Sequence, residues 1–339
     1  MIRRTVFDSL TFGFLGVVFL IAIAQPTDRQ MLELGRNSLI FLAAMVAGAV
    51  LSSVLNDVLK IRTLGEAIFA PAHKKAQLEE TSWWKTFSGW QLAVTIVVMF
   101  VVALVKTKFS LYELLNEDGF AGAVRLFQGL LNPNFALLPR AVLNIIETIF
   151  MAFLATMLAI PIAFVLSFLC AKNIMKSPPA FALYLVLRTF LNVTRSIEAL
   201  IWAIIFSVWV GIGPFAGMLA LMIHSVASLA KQYSEMVETV SDGPIEGIQS
   251  TGATKLQTIW FAIVPQVVLP YISFTVYRWD INVRMATIIG LVGGGGIGTM
   301  LMTYQGQAMW PEVGCIILVI AAVVWAMDQA SAYLREALK

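Results

Sequence analysis

Long apolar runs dominate this chain and limit what it can fold into. An α-helix needs about 20 predominantly apolar residues to cross the roughly 30 Å hydrocarbon core of a bilayer. Charged residues make up 13% of the chain, against about a quarter in a typical soluble domain. The sequence therefore predicts an all-α, polytopic membrane protein with about eight transmembrane helices. The eight candidate runs are 7–25, 37–58, 88–106, 141–170, 181–210, 213–231, 259–290 and 311–333.

A polar stretch at 107–140 separates three of these runs from the other five. We therefore predict N-terminal transmembrane helices with a cytoplasmic loop at 1–106, a periplasmic linker at 107–140 and a core at 141–339. Within the linker, leucine and phenylalanine recur at helical spacing over 110–131, which predicts a helix lying on a membrane surface. The first run resembles a secretory signal peptide, and we interpret it as a short first transmembrane helix.

Lysine and arginine indicate the orientation, because cytoplasmic loops of membrane proteins are enriched in them. With a cytoplasmic N-terminus, every inside segment carries at least one of these residues, whereas the outer loop 291–310 carries none. The outer segments 26–36 and 107–140 do carry some, so the rule is followed incompletely. The distribution predicts that both termini are cytoplasmic. The inside segments are then 1–6, 59–87, 171–180, 232–258 and 334–339.

The segment EGIQSTGATKLQTIWFAIVP (246–265) interrupts the apolar core in a predicted cytoplasmic loop. A helix that begins near Pro244, with Ser241 or Asp242 as its cap, would end at about Thr251. Gly252 permits a turn with positive φ, after which a second short helix can begin. The spacing predicts a helix–turn–helix projection that fits a cleft on another protein. An ordinary loop with a chance glycine is the alternative.

This spacing resembles the EAA motif of ABC importer permeases, with Glu246, Gly252 and Pro265 in register. The flanking runs FSVWVGIGPFAGMLALMIHSVASLAKQYSEMVETVSDGPIEGIQSTGAT and TVYRWDINVRMATIIGLVGGGGIG are similar to the permeases of phosphonate-type ABC importers. The resemblance extends over about residues 140–339 and covers 1–106 only in part. The chain departs from the motif at Gly247, Ile248, Ala262 and Val264.

The resemblance implies the core of a type I importer in the bacterial inner membrane, with extra N-terminal helices. It implies a second permease copy, two ATP-binding subunits that hold ATP and Mg²⁺, and a periplasmic or lipid-anchored substrate-binding protein. The expected function is import of a phosphonate-like oxyanion, namely phosphonate, phosphite or phosphate. No enzymatic chemistry in this chain and no nucleic-acid partner are expected. Within 240–265, the residues implied to couple to the ATPase are Glu246, Gly247, Ser250, Gly252, Ala253 and Thr254.

The run GLVGGGGIG (290–298) contains G-x-G-x-x-G, but no strand precedes it. The sequence nowhere shows G-x-x-x-x-G-K-[ST], so we expect ATP to bind a partner. Non-helical backbone is tolerated at membrane depth where it is buried or lines a cavity. The run is therefore either an outer gate or a plain tight turn. Its central glycines are Gly293, Gly294, Gly295 and Gly296.

Ionisable side chains within the spans are candidates for a translocation pathway, because they are costly in hydrocarbon. If 181–210 is one helix, Arg188, Arg195 and Glu198 share a face. One interpretation is two intrahelical ion pairs, Arg195–Glu198 and Asp280–Arg284, that fix helix packing. The other is that the arginines attract an anionic ligand, since guanidinium donates two parallel hydrogen bonds to an oxyanion. The pathway candidates are Arg195, Glu198, His224, Ser225, Arg278, Asp280 and Arg284.

The same residues are consistent with other functions. Cys170 and Cys315 lie in apolar runs without metal-ligand spacing, so we interpret them as small core residues. An importer permease for another ligand, such as an amino acid, is the nearest alternative. A secondary transporter coupled to an ion gradient would need acidic residues at helix breaks, and Glu147, Glu198 and Asp280 are available.

Overall fold

The protein is described by a computed structural model that covers residues 2–24, 34–69 and 83–337. Every regular element in these ranges is a helix, which confirms the all-α class. The chain divides into two compact units, Met1–Asn116 and Glu117–Lys339.

Unit 1 is built around the close packing of its first two helices. A Cβ added at Gly48 would lie 3.0 Å from Ser9 O, and one added at Gly13 would lie 3.1 Å from Met45 Cα. Glycine at both positions lets the two backbones approach closely. The helices of this unit are α1 (Ile2–Ala24), α2 (Leu34–Ser53) with a π turn (Val54–Val58), α3 (Leu64–Phe69), a 3₁₀ turn (Trp83–Lys85), α4 (Phe87–Lys106) and α5 (Leu111–Leu115).

A buried carboxylate, Asp8, lies at the centre of unit 1. It accepts hydrogen bonds from Ser52 Oγ at 2.8 Å, from Gly65 N at 2.7 Å and from the Thr63 hydroxyl. Asn56 Nδ2 in turn donates to Thr63 Oγ1 at 2.8 Å. Burial of a charge is costly unless the charge is hydrogen-bonded, so these donors are what stabilise Asp8 inside the unit. We call Asp8, Ser52, Asn56, Thr63 and Gly65 the Asp8 cluster.

Unit 2 contains most of the chain, and ten α-helices are described in it. They are α6 (Glu117–Leu131), α7 (Leu138–Leu169), α8 (Pro178–Ser196), α9 (Ala199–Val210), α10 (Pro214–Glu238), α11 (Asp242–Ser250), α12 (Lys255–Thr258), α13 (Val264–Gly290), α14 (Gly296–Gly306) and α15 (Trp310–Ala337). A 3₁₀ turn (Phe135–Leu137) precedes α7, and a π turn (Ile259–Ile263) joins α12 to α13.

The core of unit 2 forms where α7 packs along α10. Ala152, Ala155, Ala159 and Ala163 on α7 are fully buried and lie three or four residues apart, on one helical face. Small side chains on such a face let two helix backbones approach closely within a membrane. Helix α13 then packs against both α7 and α10, so these three helices enclose the interior of the unit.

The described residues contain six spans that are long and apolar enough to cross a membrane. A seventh is counted if α8 and α9 are taken together, although they meet at 89°. The predicted run 181–210 is therefore two helices, and the described residues contain six or seven candidate spans where eight were predicted. Residues 7–24 of the first predicted run are helical within α1, and α1 is not among the six. The six are Ser38–Val58, Phe87–Lys106, Phe135–Leu169, Pro214–Glu238, Lys255–Gly290 and Trp310–Ala337.

The predicted helix at 110–131 is present but divides at Asn116 into α5 and α6. Helix α6 packs against the start of α15, where a Cβ added at Gly129 would lie 2.5 Å from Trp310 Cβ. Asn134 Nδ2 donates to Glu312 Oε1 at 3.1 Å just beyond α6. These contacts attach α6 to α15, and its position on a membrane surface stays a prediction.

Candidate functional site

The polar interruption of the core folds into a helical hairpin on the surface of unit 2. Helix α11 has no buried residue, and α12 continues through the π turn into α13. Ile245 is half-buried and packs against the apolar cluster that contains Tyr233 and Val237. This contact attaches α11 to the core, and apart from Ile245 and Ile248 the residues of the helix are exposed. We call residues 242–258 the knob.

The turn of the knob requires glycine because of its backbone conformation. Gly252 has φ of +82°, and a Cβ added there would meet no atom within 4 Å, so crowding is not the reason. Thr254 and Gln257 form a capping box in which Gln257 Oε1 accepts from Thr254 N at 2.8 Å. The predicted helix, glycine turn and second helix are confirmed. The first helix begins at Asp242, and Ser241 makes no side-chain cap bond.

Most of the predicted coupling residues lie on the exposed side of the knob. Ala253 is half-buried, and Leu256 is 78% exposed near the tip. The exposed coupling candidates are Glu246, Gly247, Ser250, Gly252 and Thr254.

An ion pair fixes the end of α10 immediately before the knob. Arg188 Nη1 lies 2.7 Å from Glu238 Oε1, which also accepts from Lys172 N at 2.9 Å. Cys170 lies in the adjoining turn, and burial raises the pKa of its thiol. Both cysteines are free and buried, which confirms that they are small core residues. The Arg188–Glu238 pair was not predicted, because its partners are 50 residues apart in the sequence.

The glycine run forms a tight turn between α13 and α14. Gly293, Gly295 and Gly296 have φ of +91°, +78° and +66°. A Cβ added at Gly295 would lie 2.6 Å from Pro214 N, and Gly213 N donates to Gly293 O at 2.9 Å. The turn is therefore packed against the start of α10, together with Gly294, which is buried. A role as an outer gate stays a prediction.

A polar cleft of about 470 Å³ lies beside this turn, between α7 and α14. Ile297 N donates to Thr148 Oγ1 at 2.9 Å and fixes the start of α14 on α7. The cleft was not predicted, because its polar side chains come from two helices far apart in the sequence. They include Arg140, Asn144, Glu147, Thr299, Thr303 and Gln307.

Four polar side chains meet inside the bundle, near the middle of α7, α10 and α13. Arg278 is 7% exposed, and its Nε donates to Ser225 Oγ at 3.2 Å. Asn282 Nδ2 lies 2.8 Å from both Ser225 Oγ and Thr156 Oγ1. Among the described residues, Arg278 Nη2 has no hydrogen-bond partner. We call Thr156, Ser225, Arg278 and Asn282 the Arg278 cluster. Thr156 and Asn282 were missed, although each is a polar residue within an apolar run.

The structure corrects the prediction for Arg195 and Glu198. Helix α8 ends at Ser196 and α9 begins at Ala199, so the two residues do not lie on one helix and share no helical face. Both are exposed, and the ion pairs of the described residues do not include an Arg195–Glu198 pair. His224 Nδ1 lies 3.3 Å from Ile197 O in the break. His224 therefore contacts the break, while the adjacent Ser225 contacts Arg278.

Asp280 and Arg284 form the predicted ion pair, and Asp328 of α15 joins it at 2.6 Å from Arg284 Nη2. Positions 278 and 280 are about 200° apart around a helix, so this pair lies on the side of α13 away from Arg278. Asp280 is 2% exposed. The pair of the buried Asp280 with Arg284, which Asp328 links to α15, favours the interpretation that Asp280 and Arg284 fix helix packing. Pathway candidates on α10 and α13 therefore separate into two groups, Ser225 with Arg278 and Asp280 with Arg284.

Residues 163–338 match the family described as binding-protein-dependent transport system inner membrane component. The phosphite transport system permease protein PtxC of Stutzerimonas stutzeri is 34% identical over 76% of this chain and 91% of that protein. The phosphate-import permease protein PhnE of Mycolicibacterium smegmatis is 32% identical over 64% of this chain and 40% of that protein.

Among solved structures, the inward-facing MetNI methionine ABC transporter matches with a TM-score of 0.53 and 21% identity. The match covers 61% of this chain and 99% of that chain, which shows a shared fold. A family match over half of the chain, together with PtxC, settles the identity of the core. The chain belongs to the family of binding-protein-dependent transport system inner membrane components, and it is a multi-pass inner membrane permease of an ABC importer.

Proposed function

We propose that this permease imports a phosphonate-like oxyanion, and that the knob is the docking site of an ATP-binding subunit. The knob is the observation that carries the proposal. A nine-residue helix without a single buried residue gains little from its own unit. Isolated helices of this length are marginal in water, so a partner that covers α11 explains why it is maintained.

The charge distribution supports the cytoplasmic side for this docking. The knob lies in the segment 232–258, which the positive-inside rule assigns to the cytoplasm, where ATP is available. Glu246 and Ser250 are exposed on α11, and Leu256 is exposed on α12. A cleft on the ATP-binding subunit that takes Leu256 and pairs with Glu246 would bury both, as interface cores do.

Movement of the knob provides a route from ATP hydrolysis to transport. The segment Lys255–Gly290 is one helical span, so α13 follows α12 directly to the glycine turn. ATP-driven closure of two ATP-binding subunits would shift the knobs of two permease copies, and α13 would shift with them. The ligand delivered by the binding protein then passes as the pathway changes from outward to inward access. The permease itself stabilises two conformations to different extents.

The names of the relatives support the ligand class. PtxC is named for phosphite and PhnE for phosphate, at 34% and 32% identity. The methionine transporter shares the fold at 21% identity. An amino acid is therefore the competing ligand in the experiment, which compares uptake of radiolabelled phosphate, phosphite, methylphosphonate and methionine by the complete complex.

The coupling part is tested by Glu246→Lys in the same assay. Reversing a charge that becomes buried in an interface costs about 2 kcal/mol or more, so we expect at least about a tenfold fall in uptake. The matched control is Glu235→Lys, another exposed carboxylate on the preceding helix, for which we expect a small change. Wild-type uptake by Glu246→Lys would contradict the docking role. Uptake of methionine without any oxyanion would contradict the ligand class.

A further inference from the structure

The guanidinium of Arg278 is buried and forms no ion pair among the described residues. The side chain is 7% exposed, and Nη2 makes no hydrogen bond among the described residues. None of the ion pairs found in the described part of the chain includes Arg278. Folded proteins leave few such groups, because each costs free energy that a partner would recover. The partner of Arg278 is therefore to be sought outside the described chain.

Arg278 lies at a depth in the bundle where ionisable residues are rare. Arg278, Ser225 and Thr156 lie near the middle of α13, α10 and α7, which are parts of three candidate spans. Ionisable residues at this depth are rare and usually belong to ligand or ion pathways. Ser225 and Thr156 are each fully buried beside the arginine.

A break in a neighbouring span lies beside this cluster. Between α8 and α9 the chain turns by 89°, and helix α9 packs on α13. Glu198 stands at the N-cap of α9 but provides no side-chain cap to its first amides. Helix N-termini carry partial positive charge, and in transporters such interrupted helices direct these ends at anionic ligands. The break therefore places a helix N-terminus, together with the exposed Glu198 carboxylate at its N-cap, in the region of a buried positive charge.

Two adjacent residues of α10 connect the break with the arginine. His224 Nδ1 lies 3.3 Å from Ile197 O in the break, and Ser225 Oγ accepts from Arg278 Nε. The break and the cluster are therefore one region of the structure.

We propose that the uncapped start of α9 and the Arg278 cluster form an anion site within the membrane, which a tetrahedral oxyanion occupies during transport. The inference rests on the proposed import of an oxyanion. Arg278 Nη2 supplies a charged donor, and Asn282 and Ser225 supply neutral polar groups beside it. In this conformation the guanidinium is buried, so an anion reaches it only after the surrounding helices move.

The test uses the complete complex in proteoliposomes and the variant Arg278→Gln. Glutamine retains a donor for Ser225 and removes the charge. We expect uptake of phosphate and methylphosphonate to fall at least about tenfold, while ATP hydrolysis stimulated by the binding protein continues. The thermal midpoint should not fall, because the variant no longer buries an unpaired charge. Arg278→Lys should restore part of the uptake, since it restores the charge but not the planar fork.

A second measurement detects binding directly. Inorganic phosphate should raise the thermal midpoint of the wild-type complex held without its binding protein, and should not raise that of Arg278→Gln. Equal shifts in the two proteins would overturn the site. Wild-type uptake by Arg278→Gln would also overturn it. A joint fall in midpoint and uptake would show that Arg278 acts in packing instead.

Uptake by the wild-type protein distinguishes failure of the anion site from failure of the proposed function on which it rests. If wild-type proteoliposomes take up no phosphate, phosphite or methylphosphonate, the proposed function fails and the site fails with it. If they do take up these anions and Arg278→Gln does so equally, the anion site alone is wrong.

Discussion

Each of the two units buries a charged side chain, and the two side chains differ in how completely they are hydrogen-bonded. In unit 1, the Asp8 carboxylate accepts hydrogen bonds from Ser52, Thr63 and Gly65. In unit 2, Arg278 bonds Ser225 through Nε, and its Nη2 has no partner among the described residues. Both side chains are more than nine-tenths buried, so the contrast lies in their bonding.

The contrast separates a structural role from a functional one. A fully bonded polar network stabilises one arrangement of its helices, because every change leaves a group unsatisfied. An incompletely bonded charge instead costs free energy, and such costs concentrate at functional sites. The Asp8 cluster should therefore affect stability when it is changed, and the Arg278 cluster should affect transport.

The largest stability effect is expected for Asp8→Ala. The change leaves three donors without their acceptor, and each unsatisfied buried group costs about 1–3 kcal/mol, so we expect a loss of about 3 kcal/mol or more. Thermal unfolding of the purified protein measures it. Asp57→Ala is the control, because Asp57 is 45% exposed and its pair with Arg4 should contribute little. If Asp8→Ala has the wild-type thermal midpoint, the Asp8 cluster does not stabilise unit 1 and its contrast with the Arg278 cluster is lost.

An intermediate effect is expected for Arg284→Gln. The change leaves the buried Asp280 without its cation, and a fully buried pair broken in this way costs about 3–5 kcal/mol. Arg284 is 46% exposed, so we expect about 2 kcal/mol, seen as a lower thermal midpoint. Reduced uptake at an unchanged midpoint would instead place Arg284 in the pathway and weaken the division between packing and transport residues.

The smallest effect is expected for Ser225→Ala. The change removes the acceptor shared by Arg278 Nε and Asn282 Nδ2, which costs about 1 kcal/mol of stability. Ser228 is 7% exposed on the same helix, and Ser228→Ala should stay within about 0.5 kcal/mol of wild type. Equal midpoints for the two variants would show that Ser225 does not order the cluster. Thermal unfolding of the two variants measures this difference in stability.

Local patterns in the sequence predicted much of the fold and the knob. The length of an apolar run decides whether a helix spans a bilayer, and that length is visible in one segment. The knob followed from Gly252, whose positive φ depends on its own residue type. The Asp280–Arg284 pair followed from spacing on one helix.

The remaining features depend on contacts that no single segment contains. The run around Ile197 and Glu198 has no proline or glycine to mark the break. His224 and Trp202, whose Nε1 lies 3.5 Å from Thr194 O, contact the backbone at this point. The partners of Arg188 and Asp8 likewise come from distant helices. Spacing arguments fail where tertiary contacts replace helical hydrogen bonds.

The length of helix α13 determines how far its end moves when the helix tilts. Its 27 residues have a length of about 40 Å, and a tilt of about 5° as one piece moves its far end by about 3.5 Å. That end is closely engaged, since a Cβ added at Gly290 would lie 2.6 Å from Gly298 Cα. Because the two backbones are in contact there, a shift of this end of α13 would displace the start of α14.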